Sequence, residues 1–332
     1  MIDLKDYGYD GCMDDVPGGL IPARVTEVRR GRYGVVCERG EVRATLKGSF
    51  VHAAAERADI PAVGDFVLIR YNERGDSAIA HLLPRRTKFS RTDFSGHAAG
   101  YVKTVLEQVV AANFDDVFIL TSLNVDFNVN RVLRYLVQAR ESGASPTVVL
   151  TKADLCADPE PFLRAVREAA GNVPICAVST RTGEGLAALR HCFAPGRTAV
   201  FLGMSGVGKS SLLNALAGEA LMDVKAIRED DARGRHTTTH RELFRLPSGA
   251  LVIDTPGMRE LGLWDAEAGI ANAYPEVEEL TARCRFSDCR HGTEPGCAVR
   301  AALADGTLDP ARWESYRAQR QEAAFVRRRL KR

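Results

Sequence analysis

Residues 203–211 read Gly-Met-Ser-Gly-Val-Gly-Lys-Ser-Ser, and Gly203, Gly208, Lys209 and Ser210 fit the pattern Gly, four residues, Gly-Lys-Ser. The flanks fit as well. Thr-Ala-Val-Phe-Leu (198–202) is a short apolar strand, and Ser-Ser-Leu-Leu-Asn-Ala-Leu (210–216) has helical apolar spacing. Between such a strand and helix, the backbone N–H groups of Gly203, Met204, Ser205, Gly206, Val207 and Gly208 form a concave site for phosphate oxygens. Lys209 is expected to reach the β- and γ-phosphates, and the Ser210 hydroxyl to ligate Mg²⁺, with Ser211 closing the loop.

The identity of the base is decided elsewhere. Thr151-Lys152-Ala153-Asp154 follows the apolar run Thr-Val-Val-Leu (147–150), at the place of an Asn/Thr-Lys-x-Asp guanine reader. A carboxylate can accept hydrogen bonds from the N1–H and exocyclic amine of guanine, a donor pair adenine lacks, so Asp154 argues against an ATP-dependent enzyme. Asp254-Thr255-Pro256-Gly257 follows a third strand, Ala-Leu-Val-Ile (250–253), and sets a carboxylate beside the Mg²⁺. Ser179 and Thr180, directly after the strand 173–178, join the nucleotide-binding set. The order is unusual: the reader precedes the phosphate loop. Strands can keep their neighbours while the chain breaks elsewhere, so the expected body is a circularly permuted GTPase.

The 332 residues are 45% hydrophobic, enough for two or three domains. No apolar run reaches membrane-spanning length, and the N-terminus is acidic rather than a signal sequence, so a cytoplasmic protein is expected. The net charge of +2 conceals a segregation. Residues 20–91 hold 14 Lys and Arg against 8 Asp and Glu, and 283–332 hold 12 against 6, whereas 92–282 hold 18 against 24. Two basic segments flanking an acidic one suit a nucleotide switch held between surfaces that meet nucleic acid.

The organisation expected along the chain is α/β and multi-domain. Residues 1–19, acidic and containing Gly18-Gly19, are read as a loosely ordered leader. Within 20–84, stretches 23–28, 33–37, 41–46, 65–71 and 78–82 read as five strands of an OB-type β-barrel, either an oligonucleotide binder or a purely structural part. Residues 85–103 read as a basic connector. The GTPase domain, 104–268, has strands at 116–122, 148–150, 173–178, 198–202 and 250–253, with helices at 129–141, 162–170, 185–192 and 210–216. That alternation means a parallel sheet covered on both faces. The remainder, 269–332, contains Cys284-x4-Cys289-x-His291-x5-Cys297. Three thiolates and one imidazole close a tetrahedral Zn²⁺ site with no open position, so the ion is read as structural. The other five cysteines are scattered, unlike a disulfide framework. An arginine-rich helix around 310–331 either grips RNA phosphates or is a solvated end.

Taken together, Gly203–Ser211, Gly234-Arg235-His236-Thr237-Thr238, Asp254–Glu260 and the Cys284/Cys289/His291/Cys297 set resemble the ribosome small-subunit-dependent GTPase A family (RsgA) over roughly residues 20–330. The resemblance implies a late assembly factor that binds the small (30S) ribosomal subunit and its rRNA near the decoding region, with GTP hydrolysis stimulated by that subunit. Thr151 departs from the more usual Asn.

Phosphoryl transfer needs charge stabilisation and an aligned water. Lys209, Mg²⁺ and the loop amides supply the first. Met258, directly after Asp-Thr-Pro-Gly, cannot orient water, and His236 is the substitute, a role the resemblance also implies; an exposed or RNA-contacting histidine is the alternative. Thr238 is chosen as the second protein ligand of Mg²⁺, with Thr237 and Thr239 left open. The rival to a GTPase switch is an RNA-binding scaffold whose G domain senses nucleotide but scarcely hydrolyses it. A monomer is expected.

Overall fold

The computed structural model describes residues 1–11, 16–29, 31–53, 57–98, 101–124, 127–218, 241–254 and 267–330. The five strands read from the N-terminal sequence form as β1 (Ile21–Arg29), β2 (Arg32–Cys37), β3 (Gly40–Leu46), β4 (Phe66–Arg70) and β5 (Ser77–Leu82), with helix α1 (Gly48–Ala53) between β3 and β4. Pairing runs β1-β2-β3-β5-β4 and returns to β1, with β3 parallel to β5, so the sheet closes on itself. Alternate residues point inward, which buries Ala23, Val25, Tyr33, Val35, Val67, Ile69 and Ile79 in one core. This is the OB-type barrel.

Two sequence expectations are corrected at its borders. The first part of the leader, residues 1–11, is not loose: Leu4–Tyr7 forms a 3₁₀ turn capped by Asp3, and Leu4 and Tyr7 are buried. The Ile2 amide donates to the Glu38 carbonyl at 3.0 Å, and Arg245 pairs with Asp6 at 3.0 Å while lying over the Tyr7 ring. Apolar Ile2, Leu4 and Tyr7, interleaved with the acids, supply the surface that docks. The supposed connector is largely strand as well. β6 (Lys88–Ala98) and β7 (Tyr101–Ala112) pair antiparallel as a long hairpin, whose base carries Lys88–Glu107 (2.6 Å) and Ser90–Glu107 (2.5 Å) contacts. The Lys88–Glu107 ion pair and an Arg91–Gln108 bond at 2.7 Å reach from one strand to the other and help hold the hairpin together.

The remaining strands are β8 (Asp116–Ser122), β9 (Ser145–Thr151), β10 (Ile175–Ala177), β11 (Thr198–Leu202), β12 (Arg241–Arg245) and β13 (Leu251–Asp254). They lie in the order β10-β9-β8-β11-β13-β12, parallel except for β12. Helices α2 (Val129–Glu141) and α3 (Glu160–Ala170) cover one face, and α4 (Leu186–Arg190) and α5 (Lys209–Ala217) the other. β8 shows why: Val117 and Ile119 join the first core, Phe118 and Leu120 the second. Strand β12, which the sequence reading did not isolate, joins the two sheets. It pairs with β13 on one side and with β1 of the barrel on the other, Glu27 opposite Glu242 and Val28 opposite Arg241.

The C-terminal part contains α6 (Glu267–Ala273), α7 (Pro275–Ala282), α8 (Ala298–Ala304) and α9 (Pro310–Leu330). It docks on α2 through a two-bond Arg134–Glu322 pair at 2.7 and 2.8 Å. Among the described residues no helix is long and apolar enough to cross a membrane.

Candidate nucleotide and metal sites

The carboxyl ends of β8, β9, β10, β11 and β13 open on one side of the sheet, where ligands bind in open α/β folds. At the end of β11, residues 203–208 turn into α5, whose first residue is Lys209. The helix N-terminus therefore faces the loop, and the N–H groups of its first turn favour anions. Lys209 Nζ donates to the carbonyls of Gly203 (2.6 Å) and Met204 (2.7 Å), which fixes the ammonium inside the loop. Ser210 and Ser211 occupy the first turn of α5.

Thr151 ends β9 and is 2% exposed. Its hydroxyl donates to the Val207 carbonyl at 2.6 Å, with the Thr121 carbonyl at 3.3 Å. Strand order thus brings the 151–154 element, some fifty residues upstream, directly against the phosphate loop. Lys152 takes a left-handed conformation (φ 58°), which swings the chain into the 3₁₀ turn Ala153–Leu155, and the Ala153 amide donates to the Val178 carbonyl. Asp154 is held from both sides. Ser179 Oγ donates to its Oδ1 at 2.6 Å and Arg181 Nε to its Oδ2 at 2.8 Å. The Ser179 hydroxyl, followed by Arg181, holds the Asp154 carboxyl below the usual range. Ser179 and Thr180 lie just past β10. Arg181 was not singled out in the sequence, where it looks like any solvated side chain.

Asp254 ends β13. Burial pushes its carboxyl up, and the Lys209 charge partly opposes that shift. His236, Thr237, Thr238, Thr239 and Gly257 lie outside the described residues, as does Met258.

In the C-terminal part the ligand atoms of Cys284, Cys289, His291 and Cys297 lie within 4.8 Å of one another. Cys284 follows α7, Cys297 caps α8, and His291 takes φ 60° between them, its ring edge-on to Trp313 at 5.2 Å. Cys284 Sγ lies 3.9 Å from Cys297 Sγ, and His291 Nδ1 lies 3.6 and 3.5 Å from those two sulfurs. A tetrahedron with bonds of about 2.3 Å to sulfur has sulfur–sulfur edges of about 3.8 Å, so the donor set fits a metal ion.

The model of the family described as RsgA GTPase matches residues 82–264. A small ribosomal subunit biogenesis GTPase RsgA from Opitutus terrae is 46% identical over 321 residues, which span 94% of this chain and 86% of that relative. The chain belongs to the RsgA GTPase family. As a family member it is a GTP hydrolase. The crystal structure of YjeQ from Thermotoga maritima matches with a TM-score of 0.64 at 26% identity, covering 92% of this chain and 99% of that one. YloQ, described as a circularly permuted GTPase, matches at 0.59 and 22% identity over 93% and 98% of the two chains, and shows the fold. The permuted order read from the sequence is therefore the order of this RsgA-family fold, and the Cys/His cluster near its C-terminal end could hold a metal ion.

Proposed function

We propose that this GTPase binds the small ribosomal subunit and its rRNA and hydrolyses GTP when stimulated by that subunit, late in small-subunit maturation. The observation that carries the reading is the 2.6 Å bond from Thr151 to the Val207 carbonyl, which supports a guanine-reading role for 151–154 by holding this element against the 203–208 loop. The relative from Opitutus terrae is named for small-subunit biogenesis, which supplies the partner. Asp154 reads guanine, helped by Thr151, Lys152 and Ala153, while Ser179 and Thr180 line the base. The amides of 203–208 cradle the phosphates, Lys209 neutralises charge between them, and Asp254 and Gly257 face the γ-phosphate. Ser210 and Thr238 would hold the Mg²⁺ that accompanies the nucleotide and that screens its phosphate charge when bound. His236 orients the attacking water. Cys284, Cys289, His291 and Cys297 hold one structural Zn²⁺. The working units are the barrel (20–84), the GTPase body (104–268) and the metal module (269–332), in a cytoplasmic monomer.

A second reading, a nucleotide-sensing scaffold with little turnover, is favoured by Met258, which cannot orient water. Turnover of GTP titrated with small subunits at fixed salt separates the two. Turnover rising steeply with subunit concentration supports the switch. A flat, slow rate while binding persists supports the scaffold. Salt must be fixed because phosphate-driven binding weakens steeply as salt rises.

A further inference from the structure

Among the described residues the exposed large apolar side chains are Met1, Leu155 and Phe286. Phe286 is 40% exposed and lies in the metal-binding loop, two residues after Cys284 and three before Cys289. Its surroundings are built. The Cys289 amide donates to the Phe286 carbonyl at 3.2 Å, and the Arg285 amide donates to the Gly296 carbonyl at 3.1 Å, so both ends of the turn are tied down. A Cβ added to Gly296 would stand 3.0 Å from Arg285 Cβ and 3.3 Å from Cδ, so the arginine stem lies flat along this glycine. The stem's course brings the guanidinium over the Phe286 ring, 5.6 Å from its centroid, within cation–π range.

An exposed aromatic with an arginine plane over it, on a turn fixed by metal ligands, is the arrangement on which unpaired nucleobases stack. The local charge agrees. Arg283, Arg285, Arg290 and Arg300 are exposed, against Asp288 and Glu294 in the same loop. The Glu294 carboxylate is engaged by its own loop, accepting the amides of Arg290 (3.0 Å) and Gly292 (2.8 Å), and Arg283 pairs with Glu279. We infer that Arg285 and Phe286 form a stacking platform for an unpaired base of single-stranded RNA. The inference rests on the RNA-binding reading given above and adds to it a site and a strandedness.

The test uses the full, metal-loaded chain and an eight-nucleotide oligouridine carrying one 2-aminopurine, beside an RNA duplex of the same length. The expected result is quenching of 2-aminopurine on binding. Phe286→Ala should lose the quench and weaken single-strand binding about tenfold, the range a lost base–aromatic stack produces. Phe286→Trp should retain both, and duplex binding should be unmoved by either. Phe286→Leu keeps the apolar bulk without the ring; bound zinc and the melting transition show that each variant is folded. Equal single-strand affinity in wild type, Phe286→Ala and Phe286→Leu would overturn the platform while leaving RNA binding intact. No binding of either RNA by wild type would overturn both readings. Unaltered binding of free RNA with lost co-sedimentation on small subunits would assign the surface to a protein partner and overturn it as well.

Discussion

Arg24, on the first barrel strand, donates to the Thr198 hydroxyl at 2.9 Å, at the start of the strand that ends in the phosphate loop. The same guanidinium donates to the carbonyls of Tyr7, Gly64 and Asn113, so one side chain ties the N-terminal turn, the barrel and the GTPase sheet together. It is fully buried. Burial lowers its pKa to about 9, which leaves it protonated at neutral pH. Arg24→Met should cost about 3 kcal/mol in urea unfolding, because it strands several buried acceptors at once. Arg24→Lys should not restore the loss, since one ammonium cannot span four diverging acceptors. A cost under about 1 kcal/mol would show that these acceptors find other partners.

Asp154 and Arg181 set up a competition. The arginine donates to one oxygen of the carboxylate that is proposed above to accept from guanine, and its side chain is 72% exposed while that of Asp154 is 9% exposed. An exposed arginine is displaced cheaply, at roughly 0–1 kcal/mol. Arg181→Ala is therefore expected to tighten GDP binding up to about fivefold in a fluorescent-nucleotide titration; weaker binding would make Arg181 a contact of the base instead. The depressed Asp154 pKa keeps the carboxylate ionised down into the range where an ordinary carboxyl takes up its proton, and its contribution disappears only as pH falls through the lower, folded value. Wild-type GDP affinity should accordingly not vary with Asp154 ionisation between pH 6 and 8.

Much of this was legible because the chemistry sits where strands end. Gly203–Ser211, Thr151–Asp154 and Asp254 each follow an apolar run, and such runs mark strands without any knowledge of their partners. What stayed hidden depends on tertiary partners. Residues 101–112 carry valine and leucine at 102, 105, 106, 109 and 110, closer to helical spacing than to alternation, yet they pair with 88–98 as a strand. Arg-Glu-Leu-Phe-Arg (241–245) has too little apolar content to declare itself, and it forms because β13 and β1 flank it. Arg24 looks like one more charge in a basic segment, and nothing local says that it faces inward.

Gly203 admits no side chain. A Cβ there would stand 2.7 Å from the Leu120 carbonyl and 3.0 Å from Val207 Cγ1, so the loop would have to move off β8. Gly203→Ala should abolish measurable GTP binding while the far-ultraviolet dichroism of the chain persists. Wild-type affinity in this variant would mean that the loop has room the geometry denies.

The metal module has its own test. With α7, the ligand loop and α8 joined through four donors, withdrawal of the ion should release the turn that carries Phe286. Elemental analysis is expected to find one zinc per chain, and Cys289→Ser to lower that content while leaving GDP affinity within about twofold, because the donors sit between α7 and α8 whereas residues 203–208 sit between β11 and α5. Full zinc content in Cys289→Ser would remove it from the ligand set.

Asp254 links stability to function with opposite signs. Burial raises its carboxyl pKa and Lys209 only partly offsets this, so the folded state takes up a proton more readily than the unfolded chain does. Where a folded-state acid pKa is raised, the unfolded chain is the less protonated one, and stability falls as pH rises through the window above the ordinary carboxylate value. At pH 7 the ionised carboxylate therefore destabilises the nucleotide-free protein. Asp254→Asn removes that charge at similar volume, and the variant should melt higher than wild type at pH 7, with the gap closing as pH approaches 4. On the function proposed above, the same substitution should depress GTP turnover by at least about tenfold, since the site would lose the negative charge set to face a magnesium–nucleotide complex. Thermal melts at several pH values, paired with turnover at pH 7, read both effects. A melting temperature below wild type at pH 7 would show that the pairing with Lys209 outweighs the cost of burying the charge.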